Sequence, residues 1–235
     1  MDLLAVGEVM VDVVAPPAEP GRNHAPIALR AGGSAINAAQ AAAALGAKAT
    51  VVARVGADPA GALLRATLLD AGVKPRFAVD STLPTGCFVQ LGERIVADRG
   101  ANAAFGVEDL GLLEADVVLV SGYLLLSDET AAAATAALEA PAAWVGVDAA
   151  SVGLAGREDA RERLEPARVL FTNAEEATAL TRHEPEAAAR ELAATHEVAE
   201  AKWLPLDDAP RLLAYGGEKD MARRALTVLE SYEDV

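Results

Sequence analysis

Basic residues are scarce in this chain of 235 residues: 20 Lys and Arg stand against 35 Asp and Glu, a net charge of −15. No basic patch is available to neutralise phosphates, which excludes nucleic acid or an anionic membrane as the main partner. Cysteine is nearly absent. Cys87 stands alone, which excludes an internal disulfide and fits a reducing cytoplasm; it lies in an apolar, strand-like run and reads as a packed thiol. Long apolar runs are missing too. The longest, residues 117–126, is too short to span a bilayer and is broken by Ser121-Gly122. No basic segment precedes the first apolar stretch, so no secretion signal is expected and a soluble cytoplasmic protein is. Nor do the three histidines make a metal centre: His24 lies in a Pro/Gly-rich loop, and His183 and His196 flank a late helix.

What is present is apolar sequence in short, regular pieces. At 52% hydrophobic residues, the chain can bury a sizeable core as one large domain or as one domain plus an appendage. Residues 3–6 form a short apolar run ending in Gly7, the pattern of a strand buried on both faces. Residues 59–71 read as an amphipathic helix with Leu63, Leu64 and Leu68 on one side, stopped by Gly72. The pattern then changes: residues 27–30, 76–79, 87–91 and 95–98 are strand candidates separated by turn residues, and they suggest a smaller β element. From residue 115 a strand–helix rhythm returns, with strands at 117–120, 144–147 and 168–171 and helices at 128–138 and 174–180. Such alternation implies a doubly wound α/β fold around a parallel sheet.

The most informative stretch is Gly32-Gly33-Ser34-Ala35-Ile36-Asn37-Ala38-Ala39, followed by Gly46 and Gly56. Two glycines let a backbone approach a ligand closely, and the helix they open offers unpaired N–H groups and a positive dipole end. Asn37, near the helix start, adds an amide that both donates and accepts, which suits a ligand covered in hydroxyls. Gly46 stands where a helix C-terminal glycine belongs, and residues 49–53 read as the strand that follows. In open parallel sheets ligands bind beyond the carboxyl ends of strands, where Asp12, Asp148 and Asn173 each follow an apolar run. A strand-end aspartate is equally a cap for the next helix or turn, and for Asp148 both readings stand.

The stretch from residue 32 to residue 56 resembles, without a gap, the first signature of the ribokinase-like (PfkB) carbohydrate kinases. The resemblance covers residues 2–194 and implies a doubly wound main domain with a small interposed β-sheet serving as a lid over the sugar. It implies ATP and Mg2+ as cofactors, a small-molecule sugar as substrate, and pairing of two chains through their lids. Asp12, Gly32, Gly33 and Asn37 match the family's sugar contacts. Residues 94–105 look like the lid strand returning to the main domain, where Arg99 and Asn102 are candidates for substrate contact or, equally, surface and turn residues. Asn173-Ala174-Glu175-Glu176 matches the family's Asn-x-x-Glu motif, which helps to organise magnesium and phosphate. Three residues apart at a helix start, Asn173 and Glu176 share one face and reach one water or ion. The same tetrad also makes a good N-cap with acids favoured by the helix dipole.

Absences return at the end of the chain. The family's Gly-Ala-Gly-Asp turn holds the transferred anion on backbone amides, and its aspartate takes the proton from the attacking hydroxyl. This sequence has no Gly-Asp dipeptide, and its late pair, Gly216-Gly217, is followed by Glu218-Lys219. No catalytic residue is assigned, and no nucleotide site is found. Residues 197–229 resemble instead the C-terminal part of Nudix hydrolases, with Trp203 as an anchor, yet the metal-binding glutamate box is missing: Ala193-Ala194 occupies its place. The expectation is a kinase-type domain over residues 1–194, truncated before its catalytic motif, with a Nudix-like tail over residues 195–235. Three functions follow from it: a sugar kinase, a sugar-binding or interaction protein without transfer, and a Nudix-type nucleotide hydrolase.

Overall fold

A computed structural model describes residues 1–17 and 21–195. Its frame is a six-stranded, fully parallel sheet ordered β10-β9-β8-β1-β4-β5. The strands are β1 (Asp2–Val6), β4 (Lys48–Gly56), β5 (Lys74–Asp80), β8 (Val117–Val120), β9 (Trp144–Asp148) and β10 (Val169–Phe171). Both faces are covered, because successive side chains of a strand point to opposite sides. Leu4 and Val6 enter one apolar cluster with Val118, Val120 and Val147, while Leu3 and Ala5 enter the other with Val51 and Ala53. The second cluster is closed by α1 (Ser34–Ala44) and α2 (Pro59–Asp70) through Ile36, Leu64 and Leu68, all fully buried. Burial of such a side chain contributes about 1.5–3 kcal/mol.

The helices that follow are α3 (Gly122–Leu125), α4 (Ala131–Leu138), α5 (Val152–Ala155), α6 (Ala160–Leu164), α7 (Ala174–Thr181) and α8 (Pro185–Thr195). The doubly wound α/β architecture read from the sequence is the observed one, and the expected helix at 59–71 is α2, capped by the Asp58 carboxylate accepting from Gly61 N–H at 2.8 Å.

A second, four-stranded sheet is ordered β3-β2-β6-β7, from β2 (Met10–Ala15), β3 (Ala28–Gly32), β6 (Gly86–Leu91) and β7 (Arg94–Asp98). It is mixed: β2 pairs antiparallel with β3 and parallel with β6, and β6 pairs antiparallel with β7. Two expectations change here. Residues 76–79 belong to β5 on the edge of the main sheet, because β4 pairs with them in parallel from Thr50↔Lys74 to Gly56↔Asp80. Asp12 does not sit at the end of the first strand but inside β2, a strand of the small sheet. The Nudix-like stretch with Trp203 lies outside the described residues. Among the described residues no helix is long and apolar enough to cross a membrane.

Candidate functional site

The site forms where the small sheet meets the start of α1. Gly33 precedes the helix at φ 100°, ψ 145°, a region that only glycine enters readily, and a Cβ there would lie 2.3 Å from the Glu8 carbonyl oxygen. Gly32, the last residue of β3, has Asp12 over it: a Cβ at Gly32 would lie 2.1 Å from Asp12 Oδ2. The carboxylate therefore fills the space that glycine leaves open. Asp12 is half-buried, and its carboxylate has no hydrogen-bond or ion-pair partner among the described residues. Burial raises its carboxyl from the ordinary value of 3.8, opposed by the charge of Arg30.

The helix supplies the other half. Its first intrahelical bond runs from Asn37 N–H to the Gly33 carbonyl at 3.1 Å, so the N–H groups of residues 34–36 precede the ladder. Ile36 is fully buried and pins the helix, which leaves Asn37 exposed. The Asn37 side-chain amide has no partner among the described residues. Asp12 and Asn37, named from sequence for their chemistry, thus stand beside Gly32-Gly33 with their polar atoms free.

Arg99 and Asn102 are engaged elsewhere. Asn102 is 1% exposed; its amide accepts from Val9 N–H at 3.0 Å and donates to the Val9 and Arg99 carbonyls at 2.8 and 3.0 Å. It locks the turn between β1 and β2. Arg99 donates to buried Glu8 at 2.6 Å and approaches Glu129 at 3.5 Å. Burial lifts the Glu8 carboxyl above its ordinary value, against the pull of the Arg99 charge. The small sheet is fastened to the main domain by these contacts, on which the position of Asp12 depends.

A second group of acids lies at the carboxyl ends of β9 and β10. Asp148 Oδ1 accepts from Gly122 N–H at 3.0 Å and Ala150 N–H at 2.9 Å, and the nearby Ser34 hydroxyl donates to Ser121 Oγ. Burial raises its pKa; those bonds oppose the rise, and the charge of Glu176 adds to it. Asp148 is thus at once a cap for its loop and a neighbour of Glu176. Asn173 and Glu176 form a reciprocal capping box at the start of α7: Asn173 Oδ1 accepts from Glu176 N–H at 2.9 Å, and Glu176 Oε2 accepts from Asn173 N–H at 3.0 Å. Each keeps one side-chain polar atom outside the box. Two carboxylates near each other, one exposed amide and no closed cage suit Mg2+, which keeps several waters and takes few protein ligands. Among the described residues no cluster of three or more His, Cys, Asp or Glu has metal-binding spacing.

A six-stranded parallel sheet covered on both faces, with a separate four-stranded mixed sheet beside it, is the frame on which these residues sit. The chain belongs to the pfkB family of carbohydrate kinases, whose family model matches residues 1–204. Solved structures carry the same fold. A fructokinase from Xylella fastidiosa solved with bound ATP is 22% identical at TM-score 0.70, covering 83% of this chain and 69% of its own. An adenosine kinase from Sinorhizobium meliloti is 20% identical at TM-score 0.75, covering 95% and 85%. A putative ribokinase II from E. coli solved with ATP and Mg2+ is 17% identical at TM-score 0.73, covering 83% and 69%. The chain spans about two thirds of the length of several such kinases, 66% for an uncharacterised sugar kinase from Pyrococcus horikoshii. No curated protein matches it in sequence.

Proposed function

We propose that this chain binds a small sugar between its lid and the start of α1, as the ligand-binding part of an ATP-dependent carbohydrate kinase. The observation that carries the reading is the free, half-buried carboxylate of Asp12 over Gly32, with the free amide of Asn37 one turn into the helix that Gly33 opens. Sugar hydroxyls donate to Asp12, exchange both kinds of hydrogen bond with Asn37, and accept from the first N–H groups of α1. Gly32 makes room for the Asp12 carboxylate, and Gly33 holds the backbone that opens α1. Arg99 and Asn102 act behind this layer by holding the β1–β2 turn.

Next to the start of α1, Glu176 and Asp148, with the Asn173 amide, would hold Mg2+, which when bound neutralises charge on a transferred phosphoryl group. Glu176 and Asn173 keep the start of α7 rigid for that task. Proton removal from the attacking hydroxyl has no assigned residue, because the sequence lacks the family's Gly-Asp turn. The 235 residues alone therefore bind sugar without transferring phosphate, and a second chain pairing through the lid completes the substrate side. The kinase-type domain spans at least residues 1–194 on this reading. A coupled assay of ADP formation over a panel of pentoses and hexoses, with ATP and Mg2+, tests it. Sugar binding without sugar-dependent ADP supports the reading; steady turnover overturns its catalytic half, and no binding of any sugar overturns it whole.

A further inference from the structure

The lid carries a cation whose natural partner has turned away from it. The β2–β3 register sets Arg30 directly opposite Asp12, so their side chains leave the same face of the small sheet. An aspartate and an arginine so opposed ordinarily close into a charge-assisted pair. Here the Asp12 carboxylate leans instead over Gly32, two residues along β3, filling the volume of the missing Cβ. Arg30 is exposed, and its guanidinium makes no hydrogen bond or ion pair among the described residues. Arg54 and Arg99, by contrast, are engaged: Arg54 is shared by Asp80 and Asp109, and Arg99 is held by Glu8.

The rest of that face does not compete for the charge. Beside Asp12 on its other flank the register places Phe88, and beyond it Ala97; Met10, Val14 and Gln90 complete the neighbourhood, none of them charged. We propose that the sugar taken by this site carries an acidic group, a carboxylate or a phosphate, which Arg30 binds through its planar fork of donors. The inference rests on the sugar-binding reading of Asp12 and Asn37. Neighbouring strands lie about 4.8 Å apart, so an anion on Arg30 sits one strand away from the hydroxyls held by Asp12, within the span of one short sugar. A chain of net charge −15 repels anions, and a ligand of that sign needs a local cation to dock.

Calorimetric titration with D-fructose, D-gluconate and D-fructose 6-phosphate on the unaltered protein and on Arg30→Gln separates the possibilities. Arg30 is exposed on an edge strand, and matching thermal unfolding checks that the variant is folded. The proposal expects gluconate or fructose 6-phosphate to bind at least about tenfold tighter than fructose, a preference that Arg30→Gln brings to within about twofold while fructose affinity stays unchanged. Whichever acid gains more identifies a carboxylate or a phosphate. Equal affinity for neutral and acidic sugars, or a preference that survives Arg30→Gln, overturns the proposal and leaves the sugar site standing. Failure of all three ligands, and of the wider sugar panel, overturns the underlying reading.

Discussion

At the scale of single residues, the site depends on two glycines whose missing side chains serve different ends. Gly32 leaves space for a carboxylate; Gly33 holds a backbone that other residues resist. Gly33→Ala must either shift the Glu8 carbonyl or abandon φ 100°, and is expected to cost at least about 1–3 kcal/mol in chemical unfolding and to weaken sugar binding. Asp148 gives a pH signature. Its carboxyl is raised above 3.8 chiefly by burial, so the folded protein binds its proton more tightly than the unfolded chain. The stability from this group is complete below the unfolded value and is lost as pH rises through the raised one. Asp148→Asn keeps an oxygen to accept from Gly122 and Ala150, and its unfolding free energy should fall less steeply with pH than that of the unaltered protein above 3.8. Parallel slopes for the two proteins would contradict the assignment. The residue types at Asp12, Gly33 and Asn37 were legible in the sequence. Arg30 was not, because its significance lies in a cross-strand register that a one-dimensional pattern does not contain.

At the scale of elements, the strands and helices of the main domain announce themselves through buried runs and caps, as in residues 2–6 and 59–70. The small sheet does so poorly. Its strands are half exposed, and β2 mixes Asp12 with Val11, Val13 and Val14, so polarity alternates weakly and Asp12 reads as the end of the first strand. Residues 76–79 group with it by proximity in the sequence, whereas β4 draws them into the parallel sheet through a nonlocal pairing. The Asn173–Glu176 tetrad had two readings, and the structure realises the capping one in full while leaving one atom of each residue for a ligand. Asn173→Ala should therefore cost about 1 kcal/mol in thermal or denaturant unfolding, since a lost N-cap typically costs about that much. It should leave sugar affinity unchanged, because the role proposed for Asn173 is toward Mg2+ and phosphate. A loss of sugar binding equal to that of an Asp12 variant would place Asn173 in the sugar site instead.

At the scale of the whole molecule, a parallel sheet buried on both faces sets its carboxyl edge, and a separate lid brings Asp12 over the start of α1. Family membership and fold were legible from the gapless signature at residues 32–56, whose glycines are demanded by backbone geometry. Substrate identity was not, because the register of the small sheet's side chains is not legible in a one-dimensional pattern. On the proposed reading, in which no residue is assigned to take the proton from the attacking hydroxyl, no sugar-dependent ADP is expected in the coupled assay; a single preorganised anion donor is typically worth about 10²–10³ in rate. The claim beneath all of this is that Asp12 holds a sugar. Isothermal titration of the pentose and hexose panel, neutral and acidic, onto the unaltered protein and onto Asp12→Ala tests it most directly. The account predicts at least one sugar that binds, with affinity reduced about 5- to 150-fold in Asp12→Ala, the cost of truncating one buried hydrogen-bonding partner. A sugar that binds both proteins equally well would contradict it.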